Sequence, residues 1–298
     1  MGVTPPSIQR TGIVYGVLAF GLWGLLPIFW KQLGSVPSLE QTLYRLVFGA
    51  VTFALGALLF GQWREVRQLL EDRKKLRWFV LSGLLISTNW LVFLYAVESE
   101  RMVESSLGYY LNPLLNVLLG TLLLGERLSR LRWVAVGVAA LGVLGLVVVT
   151  GTLPWIALVL AGSFASYGLV RKQAPASAMV GSTVELGLLI PIALGVLVWR
   201  GGGALATASP WTASLILLTG VATAVPIGLF VASARRVPLS TLGFLQFLAP
   251  TLQLLLGVVV YGEAFGPTRA SCFVVIWLAC ALFSVEAVRP DRARQSSG

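Results

Sequence analysis

Histidine is absent from the chain, and cysteine occurs only at Cys272 and Cys280. Without imidazole or clustered thiolate ligands, the usual protein sites for zinc, iron or haem cannot be built. No metal and no cofactor is therefore expected. The two cysteines stand eight positions apart on one expected helix, roughly 12 Å at 1.5 Å per residue. That is beyond disulfide reach, so they say nothing of redox compartment. Charge is scarce as well: 11% of the 298 residues are Asp, Glu, Lys or Arg, where a soluble domain carries about 25%. Most of the surface therefore cannot face water. Nucleophile elbows, HExxH and CxxC motifs are missing too, and no enzyme activity and no catalytic residue is expected.

What fills the chain is apolar sequence, 57% hydrophobic with a mean hydropathy of +0.86. Crossing the roughly 30 Å hydrocarbon core takes about 20 such residues. Ten runs qualify, near 12–30, 38–60, 77–97, 103–124, 133–150, 153–170, 179–199, 211–233, 238–261 and 270–288. The connections are short except at 61–77, which leaves no room for a soluble domain. Trp30, Trp63, Trp78, Trp133, Trp155, Trp199 and Trp211 fall at expected span ends, where amphipathic rings favour the interface.

Lys and Arg set the direction. Arg10, the basic 61–77 loop, the 125–132 loop, Arg171–Lys172, Arg235–Arg236 and the tail beyond 288 hold 17 of them. The opposite side holds four, namely Lys31, Arg101, Arg200 and Arg269. By the positive-inside rule both termini are expected in the cytoplasm. The net charge of +10 is thus a topology signal, and no nucleic-acid partner is expected. The first run has no A-x-A-like cleavage site and reads as retained.

One apolar span is written twice. LGYYLNPLLNVLLGTLLLGE at 107–126 and FLQFLAPTLQLLLGVVVYGE at 244–263 align with a constant offset of 137. Eight of the sixteen positions from Leu111 to Glu126 are identical to their partners. The same offset relates Gly83 to Gly220 and Phe93 to Phe230. Glu40 in SLEQ and Glu185 in TVEL read as occupying comparable places near the starts of spans two and seven. A unit of five spans ends on the far side of the membrane, so its copy runs upside down. Two inverted units, residues 1–150 and 151–298, can enclose a midplane site that opens alternately to each side. Duplication that merely enlarges a bundle is the plainer alternative.

Polar side chains inside apolar spans mark the candidate site. Tyr109, Asn112 and Asn116, with Ser105, share one helix face, and Gln246 and Gln253 match Tyr109 and Asn116 in the second copy. Cavity lining and interhelical hydrogen bonding are both open to them. Trp23, Asn89, Trp90 and Tyr167 lie away from the expected interfaces, as walls for an amphipathic substrate or as plain packing. Pro113 and Pro250 each remove an intrahelical bond and are candidate hinges or static bends. Trp277 reads as packing. Arg45, the one basic residue inside a span, has three options: holding a substrate carboxylate, pairing with Glu40 or Glu104, or snorkelling. Glu126 and Glu263 read as caps or loop ion pairs. Asp occurs only at Asp72 and Asp291, and no span carries a carboxylate near its middle. This favours a neutral or zwitterionic substrate and leaves proton coupling and facilitated diffusion equally open. Gly12-x-x-x-Gly16 permits close helix approach and leaves monomer and homodimer open.

The segments 87–97 (STNWLVFLYAV), 105–128, 153–172 (LPWIALVLAGSFASYGLVRK) and 240–263 resemble the EamA group of the drug/metabolite transporter superfamily. The resemblance runs in order along nearly the whole chain. It implies an all-α protein of the bacterial inner membrane with ten transmembrane helices. It also implies export of small metabolites, amino acids (aromatic ones included), or drugs such as phenicols. A membrane-embedded enzyme or a multi-span sensor is the competing reading.

Overall fold

The computed structural model describes residues 6–124, 129–173, 176–237 and 239–288. Within them the chain is helical almost throughout, as an apolar chain must be where no water satisfies its backbone. The helices are α1 (Pro6–Gln32), α2 (Ser38–Leu59), α3 (Trp63–Glu71), α4 (Arg73–Glu98), α5 (Met102–Leu124), α6 (Arg130–Thr150) and α7 (Trp155–Gln173). After them come α8 (Ala178–Gly187), α9 (Ile190–Trp199), α10 (Pro210–Ala234), α11 (Leu239–Leu245), α12 (Leu248–Leu255) and α13 (Pro267–Val288). Among the described residues seven helices are long and apolar enough to cross a membrane, eight if α8 and α9 form one span. The chain is a multi-pass membrane protein.

Three stretches depart from the sequence expectation, each for a local reason. The expected span 179–199 is broken into α8 and α9, bent by 41°. Pro191 lies in the first turn of α9, has no N–H to give the carbonyl of Gly187, and so ends the preceding ladder. The span 238–261 is broken at Gln246–Phe247, four residues before Pro250, and finishes in a π-helical turn, Leu256–Val260. Pro113, by contrast, sits buried inside an unbroken α5. The 61–77 loop holds an amphipathic helix, α3, whose Val66 and Leu69 bury against Ala57, Phe79, Val180 and Val184. Its basic face is left to solvent or headgroups, as an interfacial helix requires. Asp72 then caps α4, accepting from the backbone N–H groups of Lys74 and Lys75. The Lys75 ammonium beside it holds this carboxyl below its ordinary range.

Packing follows the 137-residue offset. Helix α5 packs on α7 as α12 packs on α1, and α4 packs on α7 as α10 packs on α1. Gly83 lies against the Glu185 carbonyl, and Gly220, 137 residues on, lies against the carbonyl of Phe48, 137 residues before Glu185. Phe48 rather than Glu40 is therefore the counterpart of Glu185, which corrects the pairing read from the sequence. Gly12 and Gly16 let α1 approach the end of α10 and α11: Ser233 Oγ donates to the Gly12 carbonyl over 2.7 Å, and Leu245 meets Gly16. That small-residue face is used inside one chain.

Of the seven tryptophans expected at interfaces, Trp63, Trp133, Trp155, Trp199 and Trp211 are exposed and Trp78 is half-buried. Trp30 is the exception. It is 1% exposed and belongs to the interior described next. Trp277 packs in a ring cluster with Tyr110 and Phe273.

Candidate functional site

A cavity of about 290 Å³ lies between α1, α2, α4, α5, α7, α8, α10 and the broken α11–α12 segment. Its size is near the lower end of small-molecule pockets, roughly 300 Å³. Trp23, Arg45, Asn89, Trp90, Tyr109, Asn112, Asn116, Tyr167, Gln246 and Gln253 all line it, as does Pro250. Helical periodicity explains the convergence on α5: Tyr109, Asn112 and Asn116 turn one face inward. Ser105 continues the stripe in sequence but is buried outside the cavity, its hydroxyl without a hydrogen-bond partner. Pro113 is buried but is not among the residues that line the cavity.

The repeat reappears in the walls. Tyr109 and Gln246, Asn112 and Ala249, Asn116 and Gln253, Phe93 and Phe230, and Arg45 and Ser182 are each separated by 137 residues, and both members of every pair line the cavity. Trp30 and Tyr167 form a further such pair. One cavity is thus made from matching positions of the two copies.

Aromatic rings form much of the wall. Trp23 packs on Phe20 and Phe230 with centroids 5.5 and 5.7 Å apart, and Phe93 meets Tyr109 edge-on. Polar groups are few and mostly fixed. Asn89 donates to the Leu160 carbonyl at 2.9 Å and to Ser163 Oγ at 3.1 Å, and its Oδ1 accepts from Tyr109 Oη at 3.3 Å. Other buried polar atoms among the lining residues have no hydrogen-bond partner: Trp30 Nε1, Asn112 Oδ1, Arg171 Nη1 and Gln253 Oε1. Buried polar groups without partners are rare in native proteins and call for an explanation.

Arg45 is the chemical centre. Its guanidinium lies 3.9 Å from the Trp90 ring centroid and 4.9 Å from that of Trp30, and its Nε donates to Thr223 Oγ1 at 2.9 Å. Neither ion pair considered from the sequence forms. Glu40 instead accepts from Arg200 Nε at 2.8 Å and from the N–H of Ala204 at 2.7 Å. Glu104 pairs with Arg101 and accepts from the N–H of Ile156 at 2.8 Å. Burial between two rings also rules out snorkelling.

A second charged group was missed. Glu185 is 2% exposed, lines the cavity and accepts from Ser82 Oγ at 2.6 Å, with Arg171 Nη1 at 3.9 Å. The expectation that the interior lacks a carboxylate is therefore corrected. Glu185 seemed to lie at a span end because the Pro191 break was not anticipated. It sits near the elbow of α8 and α9, which lies inside the bundle. Ser182, Phe230 and Phe20 were also missed, since single small or aromatic residues in apolar runs carry no positional signal.

The two ends of the cavity differ. Its lining reaches toward Arg171, Ala178 and Val231, at the end where α1 begins and α10 finishes. At the other end carboxylates tie the copies together. Glu40 and Glu104 make the bonds above, and Glu263 accepts from the N–H groups of Met102 and Val103, the latter at 2.8 Å. The anionic side chain satisfies the orphan donors at the α5 N-terminus. Burial pushes the Glu263 carboxyl upward despite these bonds. Lys31 adds an ion pair to Glu100 at 3.1 Å. Glu126, the matching residue of the first copy, lies outside the described residues.

Comparison with known proteins bears on identity. The EamA-like transporter family profile matches residues 10–148. An uncharacterized transporter of Pseudomonas aeruginosa is 44% identical over 97% of this chain and 98% of its own length. Protein RarD of Streptomyces exfoliatus is 40% identical over 95% of this chain and 91% of its own length. A solved crystal structure, 21% identical, superposes with a TM-score of 0.59 over 95% of this chain and all of that one, and shows that the fold is shared. The chain belongs to the RarD group of the EamA-like transporters, in the drug/metabolite transporter superfamily.

Proposed function

We propose that the protein is an inner-membrane permease that exports small amphipathic metabolites or drugs by alternating access between two inverted five-helix halves. On this reading the ten helical stretches are ten spans, α8–α9 and α11–α12 each being one broken span, and both termini are cytoplasmic. The observation that carries it is the set of cavity residues paired at 137-residue spacing. Inverted copies give a central site two equivalent exits, and exchanging the conformations of the halves moves the opening from one side to the other. Broken helices at such a site are a recurring device, and α8–α9 and α11–α12 are two of them, both in the second half.

The state observed is inward-open on this reading. The cavity reaches toward the Lys/Arg-rich end, which the positive-inside rule assigns to the cytoplasm. The opposite end is closed by Glu40, Glu104 and Glu263. Amino acids and phenicols are the substrates that the family resemblance brings forward. The ten lining residues named from the sequence are the proposed contacts. Counterflow in proteoliposomes tests the proposal: loaded vesicles should exchange at least one amphipathic probe saturably. Absence of exchange across aromatic amino acids, aromatic carboxylates and phenicols would remove it.

A further inference from the structure

Charges lining the cavity do not cancel. Arg45, Arg171 and Glu185 are the charged side chains among its lining residues, with Tyr109 and Tyr167 as the only other titratable ones. Glu185 is already engaged by Ser82 Oγ at 2.6 Å, with Arg171 beside it. Arg45 has no carboxylate within ion-pair distance among the described residues. Its one hydrogen bond there uses Nε, toward Thr223, so its two amino groups are left unbonded. Whether Glu185 carries its proton or not, the cavity retains at least one positive charge.

A guanidinium that is 5% exposed in a membrane interior is costly unless something completes it. The rings of Trp30 and Trp90 offset part of that cost by cation–π contact, and they also hold the planar fork in one orientation. A fork so held, with two free amino groups, matches a carboxylate bidentately. A substrate ammonium has no comparable partner, since the one carboxylate lining the cavity is occupied.

We infer that this cavity selects amphipathic organic monoanions, aromatic or apolar carboxylates, with Arg45 as the specificity-determining anchor of the carboxylate. This rests on the transport reading and narrows it: a zwitterionic amino acid becomes the poorer ligand. The aromatic walls at Trp23, Phe20 and Phe230 take the apolar body.

The test compares phenylpyruvate with phenylalanine, which share a ring and differ at Cα in a carbonyl against an ammonium. Purified full-length protein in proteoliposomes should exchange phenylpyruvate at least tenfold faster than phenylalanine. Arg45→Gln should lower phenylpyruvate exchange at least tenfold relative to exchange of its neutral amide, phenylpyruvamide, which lacks the carboxylate, because removing one partner of a buried charge pair weakens the complex by more than that. A purely structural role would slow acid and amide alike and leave their ratio unmoved. Should Arg45→Gln not fold, the thermal shift of wild type with each probe decides, with phenylpyruvate alone expected to raise the melting temperature. Phenylalanine exchanging or stabilising as well as phenylpyruvate overturns the anion inference and leaves the transporter reading standing. Exchange of neither removes this inference, while the broader probe panel separately decides the transporter reading.

Discussion

The seam between the two copies makes a quantitative demand at Gly220. A Cβ built there would lie 2.6 Å from the carbonyl carbon of Phe48 and closer still to its oxygen and to Thr52 Oγ1. Ordinary contact needs roughly 3.5 Å, so α2 and α10 must separate by about an ångström, and the obstacle is backbone, which has no rotamer to change. Overpacking of this kind costs about 1–3 kcal/mol. Gly220→Ala should therefore sit at the upper end, near 3 kcal/mol, lowering the melting temperature by roughly 5–10 °C in a chain of this size. Gly83→Ala, whose Cβ would meet the Glu185 carbonyl at 3.0 Å and Leu189 Cδ1 at 3.0 Å, should fall between. Gly228→Ala is the control, on the same helix as Gly220 with nothing within 4 Å. It should be neutral or slightly stabilising, since Ala is favoured over Gly in a helix by about 1 kcal/mol. Detergent melts followed by tryptophan fluorescence would rank the three. Equal melting of Gly220→Ala and Gly228→Ala would refute the close seam and the offset packing drawn from it.

Other expectations follow from the same geometry. Asn116→Ala and Gln253→Ala should each cut flux roughly two- to tenfold, the range of one lost hydrogen bond, while expression and melting hold; unchanged flux in both would take them out of the site. Cys272 and Cys280 are buried and free, so Asn116→Cys should react with an impermeant maleimide added from the cytoplasmic face and much more slowly from outside. The reverse preference would contradict an inward-open cavity. Glu263→Gln should weaken the charged cap on α5 by about 1–2 kcal/mol and speed maleimide labelling of Asn116→Cys from outside. Labelling at the wild-type rate would show that Glu263 does not hold that end closed.

Much was legible without coordinates because the membrane imposes a one-dimensional grammar. Apolar run length dictates helices, and a constant offset exposes segments that match along the chain. The polar positions at Tyr109, Asn112, Asn116, Gln246 and Gln253 stood out because a polar group in such a run is expensive and needs an interior. What the runs could not convey was depth and partnership. Glu185 and Trp30 looked like end residues in the linear reading. A break ahead of Pro191 and burial against Arg45 make them interior, and both depend on where a neighbouring helix passes. The partner of Arg45 was equally hidden. Glu40 and Glu104 were the carboxylates considered for it, but Arg200 and the backbone N–H of Ala204, and Arg101 and the backbone N–H of Ile156, claim them instead. Sequence alone therefore determined the membrane class and the 137-residue offset, both of which follow from local composition and order. Only the tertiary structure decided which charges stay unpaired, because pairing is a matter of distances between helices that are remote along the chain.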